Sequence, residues 1–253
     1  MGKVYFVSDL HLGVPGRLSS REREALFVKW LDDISTDAEE LYLIGDLFDF
    51  FFEYKTVVPK GYVRLFGKLA ELSDGGLPIY FFTGNHDMWI FDYFEKELGI
   101  ETYRSPITRT IQGKKLYIGH GDGLGPGDRG YKFIKKVFAN KVCQWLFERL
   151  HPNFGISLAN FWSKQSRYAN PSFDRFHKDT EWLVDYANDY LKHTAIDFFI
   201  FGHRHIPIDH KLDNGISRYI NTGEWLHSQS YAIMEDGQIK VVFYKREDGE
   251  VFG

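Results

Sequence analysis

Pro78-Ile79-Tyr80-Phe81-Phe82-Thr83-Gly84-Asn85-His86-Asp87 sets a short strand-like run directly against a cluster of hydrogen-bonding side chains. The same junction recurs along the chain. Lys3–Ser8 leads into Asp9-Leu10-His11, and Glu40–Gly45 leads into Asp46-Leu47-Phe48-Asp49. Further on, Lys115–Gly119 runs into His120-Gly121-Asp122, and Ile196–Phe201 into Gly202-His203-Arg204-His205. Loops at the carboxyl ends of strands in α/β sheets converge on one site. Asp, Asn and His are the donors of a divalent-metal centre. Glycines at 45, 84, 119 and 202 allow backbone and metal to approach closely. Taken singly, an Asp-x-His or a His-x-His at a strand end is an ordinary polar turn. Five of the ten histidines fall in these five loops, however, and together the loops point to a dinuclear metal centre.

Between the strand-like runs lie helical stretches at Ser20–Ile34, Lys60–Ser73 and Trp89–Leu98, a βαβαβ rhythm that predicts a sheet packed with helices. Ile107–Ile111 and Lys115–Gly119, parted by Gln112-Gly113-Lys114, read as a hairpin. Ile134, Phe138, Val142, Trp145 and Leu146 recur at three- and four-residue steps and predict one amphipathic helix. Later strands are expected at Ile208–Leu212, Ser217–Ile220, Tyr231–Glu235 and Ile239–Tyr244. The 253 residues carry a net charge of −4, a single cysteine (Cys143) and 43% apolar residues. These values exclude a disordered chain, a disulfide scaffold and a paired-cysteine zinc site. No apolar run approaches the ~18 residues of a membrane span. Met1-Gly2-Lys3-Val4-Tyr5-Phe6 enters a strand without the pattern of a secretory signal. The bulk numbers therefore suggest a soluble, intracellular protein. The charge is uneven, because residues 129–178 are +8 and hold eleven aromatics, leaving −12 for the rest.

The series Asp9-x-His11, Gly45-Asp46-x-x-Asp49, Gly84-Asn85-His86-Asp87, Gly119-His120-Gly121-Asp122 and Gly202-His203-x-His205 resembles the calcineurin-like metallophosphoesterases. The resemblance implies an α/β protein, a four-layer α/β/β/α sandwich with two metals at its top and an inserted helical cap. Residues 1–124 and 181–253 would form the core and 125–180 the cap. By the family's pattern one metal takes Asp9, His11, Asp46 and His205, and the other takes Asp46, Asn85, His120 and His203. His86 is expected beside the metals as a catalytic group, with Asp49 orienting it through its carboxylate. The implied chemistry is attack of metal-activated water on phosphorus. Two divalent ions are expected, Mn²⁺ in preference to Fe²⁺ or Zn²⁺.

The cap region is similar to that of the UDP-2,3-diacylglucosamine diphosphatases of lipid A synthesis. That likeness lies in His120 to Tyr131, in Trp145-Leu146-Phe147 before Leu150-His151-Pro152, and in Ser166-Arg167-Tyr168-Ala169-Asn170. It implies that Asp128 and Tyr131 flank a sugar pocket and that Ser166, Arg167 and Asn170 meet the substrate. Asn85-His86 stands where those enzymes carry Asn-Arg, and Asp49 where they carry Glu. The reaction implied is hydrolysis of a UDP-linked diacylglucosamine lipid to UMP and the acylated sugar phosphate. A soluble nucleotide or dinucleoside-polyphosphate phosphoesterase of the same fold is the alternative. Phe133, Ile134, Val137, Phe138, Leu146, Phe147, Leu158, Phe161 and Trp162 are candidates for an acyl groove. A cationic, aromatic cap also suits docking on the cytoplasmic face of the inner membrane. No nucleic-acid partner is expected, because the basic patch is local.

Overall fold

The computed structural model describes residues 2–126, 129–169, 176–178, 181–246 and 249–253, with the main chain alone at 160 and 162–169. Two sheets face each other. The first is built on parallel strands β1 (Lys3–Val7), β2 (Ala38–Leu43), β3 (Ile79–Phe82) and β4 (Glu101–Tyr103). The antiparallel β10 (Ser230–Glu235) and β11 (Gln238–Phe243) extend it beyond β1. The second sheet has the order β5 (Ile107–Ile111), β6 (Lys114–Ile118), β7 (Phe198–Phe201), β9 (Arg218–Thr222) and β8 (Pro207–Lys211).

Alternation within the strands explains the layering. In β1, Val4 and Phe6 join the core between the sheets, whereas Tyr5 and Val7 face the helices α1 (Ser20–Ile34), α2 (Val63–Asp74) and α3 (Tyr93–Leu98). In β7, Phe198 and Ile200 point between the sheets, while Phe199 and Phe201 pack against α7 (Trp182–Leu191). Strands buried on both faces need continuous apolar runs rather than alternating ones. The result is the expected α/β/β/α sandwich.

Three local expectations shift. The helix expected over Trp89–Leu98 begins only at Tyr93, because Trp89 pairs as an isolated bridge with Phe52. The Glu53 carboxylate accepts the N–H groups of Phe91, Asp92 and Tyr93 at 2.6–3.1 Å, closing the start of α3. The single helix through Ile134 and Leu146 is two, α4 (Arg129–Ala139) and α5 (Lys141–Glu148). Asn140 breaks it by accepting from Val142 and Cys143 N–H as an N-cap. A third helix, α6 (Pro152–Ala169), follows. Strand β4 and helix α7 were not anticipated.

An aromatic cluster joins the α4–α6 segment to the core. Phe52, Tyr54, Trp89, Phe147 and Ala159 are buried together, with Phe50, Phe138 and Leu150 against them. The Trp89 indole N–H donates to the Phe138 carbonyl at 2.8 Å, and its ring lies 4.8 Å from Phe147 and 5.2 Å from Phe52. Trp89 sits four residues past Asn85, so the attachment is made by a strand-end loop itself. Trp89→Ala should remove about 3–5 kcal/mol of packing. Hydrogen exchange of amides in α4 and α5 is expected to accelerate while β1–β3 stay protected. Equal protection of α4–α5 in both proteins would contradict this attachment.

Candidate metal centre

The five polar loops leave the carboxyl ends of β1, β2, β3, β6 and β7 and meet above the two sheets. Main-chain bonds lock the first two loops together: Asp9 N–H to Gly45 O, His11 N–H to Asp46 O, and Leu12 N–H to Leu47 O, at 2.9–3.1 Å. Glycine is required where loops touch. A Cβ on Gly84 would lie 2.1 Å from Asp46 Oδ1, and one on Gly202 would lie 2.6 Å from Asp9 Oδ2. Asp9, His11, Asp46, His203 and His205 all adopt left-handed backbone, with φ between 44° and 68°. Non-glycine residues in that region cost roughly 1–3 kcal/mol each and gather at functional sites.

Of the three groups that the ligand atoms form, two share Asp46, and the third is His11, Asp49 and His86. Asp9, His11, Asp46 and His205 make one of the two, and Asp46, His120 and His203 the other. His11 Nε2 and His205 Nε2 are 3.1 Å apart, and His205 Nε2 is 3.1 Å from Asp9 Oδ1. His120 Nε2 lies 3.3 Å from Asp46 Oδ2 and 3.2 Å from Asn85 Oδ1, which adds Asn85 to the second group. The His120 Nδ1–H donates to the Ile44 carbonyl at 2.8 Å, so the Nε2 lone pair faces the other ligands. His86 is fixed likewise: its Nδ1–H donates to the Asp49 carbonyl at 2.8 Å. The Asp49 carboxylate stands 3.8 Å from Nδ1 of both His86 and His11. The bond that holds His86 is therefore to the Asp49 main chain, with the expected carboxylate farther off.

The donor set fits divalent metal. Asp9 Oδ1 and Asp46 Oδ2 are buried and have no hydrogen-bond partner among the described residues, although histidine nitrogens surround them. Burial alone would raise both carboxyls, but the surrounding histidines override it and hold them well below the usual carboxylate range. Burial would likewise lower His120, but the Asp46 carboxylate pushes it up to about 10. Burial and the neighbouring His120 bring His203 down to about 4. Two imidazole nitrogens and a carboxylate oxygen about 3 Å apart match neighbouring ligands on one ion, with bonds of about 2.0–2.2 Å.

The profile of the calcineurin-like phosphoesterases matches residues 2–207. This chain belongs to that family. A UDP-2,3-diacylglucosamine hydrolase of Porphyromonas gingivalis is 37% identical over 247 residues, covering 92% of this chain and 94% of the relative. A UDP-2,3-diacylglucosamine hydrolase of Histophilus somni is 28% identical over 231 residues, covering 89% and 93%. The family member described here is a metal-dependent hydrolase.

The structure brings Asp9, His11, Asp46, Asp49, Asn85, His86, His120, His203 and His205 together. Tyr131 stands at the rim on α4, donating its O–H to Asp122 at 2.6 Å with its ring 6.4 Å from His203. Ser166 and Arg167 lie in the last turns of α6, where only the main chain is described, and Asp128 and Asn170 lie outside the described residues. Two supports carried no assigned role in the sequence. Asp87 accepts from Gly84 N–H at 2.7 Å and Leu47 N–H at 2.8 Å, and burial beside Asp46 raises its carboxyl to about 7. Arg204, between two ligands, donates its Nε–H to both oxygens of buried Glu181. Asp87 was visible within its motif, whereas Glu181 had no local signal.

Saturating Mn²⁺ should raise the melting temperature of the metal-free protein; free ion at a hundred times its Kd is worth about 2.7 kcal/mol per site. Asp46→Asn should lose most of that shift, since its carboxylate serves both groups. A full shift in the variant would contradict the shared position.

Proposed function

We propose that the protein hydrolyses the diphosphate of UDP-2,3-diacylglucosamine to UMP and 2,3-diacylglucosamine 1-phosphate. Two divalent ions, Mn²⁺ by preference, would occupy the groups Asp9, His11, Asp46, His205 and Asp46, Asn85, His120, His203. The observation that carries the chemistry is the buried Asp46 carboxylate shared by both groups. What carries the substrate is the likeness, over nearly the whole chain, to hydrolases named for it.

Bound there, the ions supply Lewis acidity toward phosphoryl oxygens and lower the pKa of a coordinated water. The chain's residues do the rest. The new bond joins the water oxygen to the α-phosphorus, and the bond that breaks joins that phosphorus to the bridging oxygen. The bridging oxygen leaves with the acylated sugar phosphate. His86, partly exposed at the mouth and with Nδ1–H held by the Asp49 carbonyl, keeps Nε2 for the phosphoryl or leaving-group oxygen. Asp87 fixes the spacing of the Gly84 and Leu47 loops through its two main-chain bonds.

Residues 125–180 would form the cap over this site, with α4–α6 as its described helices. Tyr131 and Lys135 tie α4 to Asp122, beside His120. With Asp128, Ser166, Arg167 and Asn170, Tyr131 would meet the sugar and phosphate. Phe133, Val142, Trp145, Leu146, Phe154 and Phe161 are exposed on α4–α6 among the lysines of the segment. An exposed apolar surface set in positive charge supports peripheral docking on the anionic cytoplasmic face of the inner membrane. Among the described residues no helix is long and apolar enough to cross a membrane.

The test is incubation with Mn²⁺ and the lipid nucleotide in detergent, with UMP as the readout. UMP should form, and UDP-glucosamine without acyl chains should be turned over far more slowly, because remote binding energy is lost. No UMP would refute the proposal. Equal turnover of the acyl-free nucleotide would favour a soluble nucleotide phosphoesterase.

A further inference from the structure

Arg23 is an unusual charge. It lies in the second turn of α1, it is fully buried, and all its hydrogen bonds among the described residues go to main-chain carbonyls. Nε–H donates to Leu10 O at 2.9 Å and Nη1–H to Leu18 O at 3.1 Å. Nη2–H donates to His11 O at 2.8 Å and to Val14 O at 2.7 Å. Buried guanidinium groups ordinarily face a carboxylate. This one donates to the loop that carries Asp9 and His11, while the charges of Glu224 and Asp49 act on it without a hydrogen bond among the described residues.

The main chain of that loop shows why. Asp9 N–H and His11 N–H are taken by Gly45 O and Asp46 O, and Asp9 O accepts from Trp225 N–H. Asp9 and His11 both take left-handed backbone, and between and after them the Leu10 and His11 carbonyls accept from Arg23. A buried carbonyl without a donor is expensive. The Arg23 fork supplies a donor to Leu10 O and the shorter of two to His11 O, which also accepts from Val14 N–H at 3.4 Å. Its own place is set by the start of α1, where Ser19 and Glu22 form a reciprocal capping box.

We infer that Arg23 is a positioning residue for the first metal group, holding the left-handed backbone that turns Asp9 and His11 toward the ion. The inference rests on the metal reading above. A planar fork reaching separate carbonyls is a task that lysine, with one nitrogen, performs only in part.

The experiment measures Mn²⁺ affinity by calorimetry and the melting temperature of the metal-free protein, in the full chain. The proteins are the parent, Arg23→Lys, Arg23→Met and Phe27→Leu. Phe27 is fully buried on the same helix, its ring packed on Trp30 and Trp225, and it has no polar side-chain atom to offer the ligand loop. Arg23→Lys should weaken Mn²⁺ binding about 10–100-fold, the usual effect of losing a support to a ligand, and Arg23→Met more. Phe27→Leu should lower the melting temperature yet keep affinity within about twofold, as an apolar swap that removes no hydrogen bond. Parental affinity in Arg23→Lys, or affinity that follows melting temperature across all variants, would overturn the inference. If Arg23→Met does not fold, Arg23→Lys decides. A parent that takes up no Mn²⁺ would overturn the metal reading itself, which is a different failure.

Discussion

Two carboxylates, Asp9 and Asp46, lie buried with one oxygen each lacking a hydrogen-bond partner among the described residues, and the loops around them are arranged about that concentration of charge. Taking carboxylates out of water is costly unless opposite charge replaces the lost hydration. Here the replacement comes from histidines that are themselves desolvated, so the charges are balanced only in part by protein groups. A divalent cation completes the balance. The same constraint accounts for the main-chain features nearby. Five ligands in left-handed backbone, loops pressed together at Gly84 and Gly202, and Asp87 spent on two N–H groups all hold donors inward at short range. Stability given up at such a site is recovered elsewhere, here in three apolar layers where β1 and β7 are buried on both faces.

Helix α4 and the metal loops are tied to each other directly. Trp89 follows the Asn85-His86 loop and donates to the main chain of α4, while Asp122 follows His120 and receives Tyr131 and Lys135 from the same helix. On the far side, Glu181 at the start of α7 holds Arg204 between His203 and His205, with the guanidinium also over the Trp182 ring. A ligand that moves α4 therefore pulls on loops that carry metal ligands. This gives a structural route from α4 to the loops that hold the metal ligands.

Much of this was legible because the ligands come as short continuous motifs. Each strand-end loop shows its donors within four residues, and the apolar runs before them mark which sheet end they occupy. The supports were not legible in the same way. Arg23 looks like any basic residue on the polar side of α1, and only the folded path of residues 10–18 reveals four carbonyls around it. Glu181 and Arg204 are 23 residues apart with no pattern between them. In the cap, periodicity identified an amphipathic segment but missed the Asn140 break. It also could not say that Phe138 and Phe147 pack on Phe52 and Trp89 while Phe133 and Trp145 face outward. Packing partners distant in sequence decide that.

One buried aspartate, Asp46, belongs to both groups of ligand atoms that would each hold an ion. Crystals grown with Mn²⁺ and measured at the manganese absorption edge test it directly. Two anomalous peaks are expected, one among Asp9, His11 and His205, the other among Asn85, His120 and His203, with Asp46 touching both. A single peak, or two peaks of which Asp46 touches only one, would contradict it.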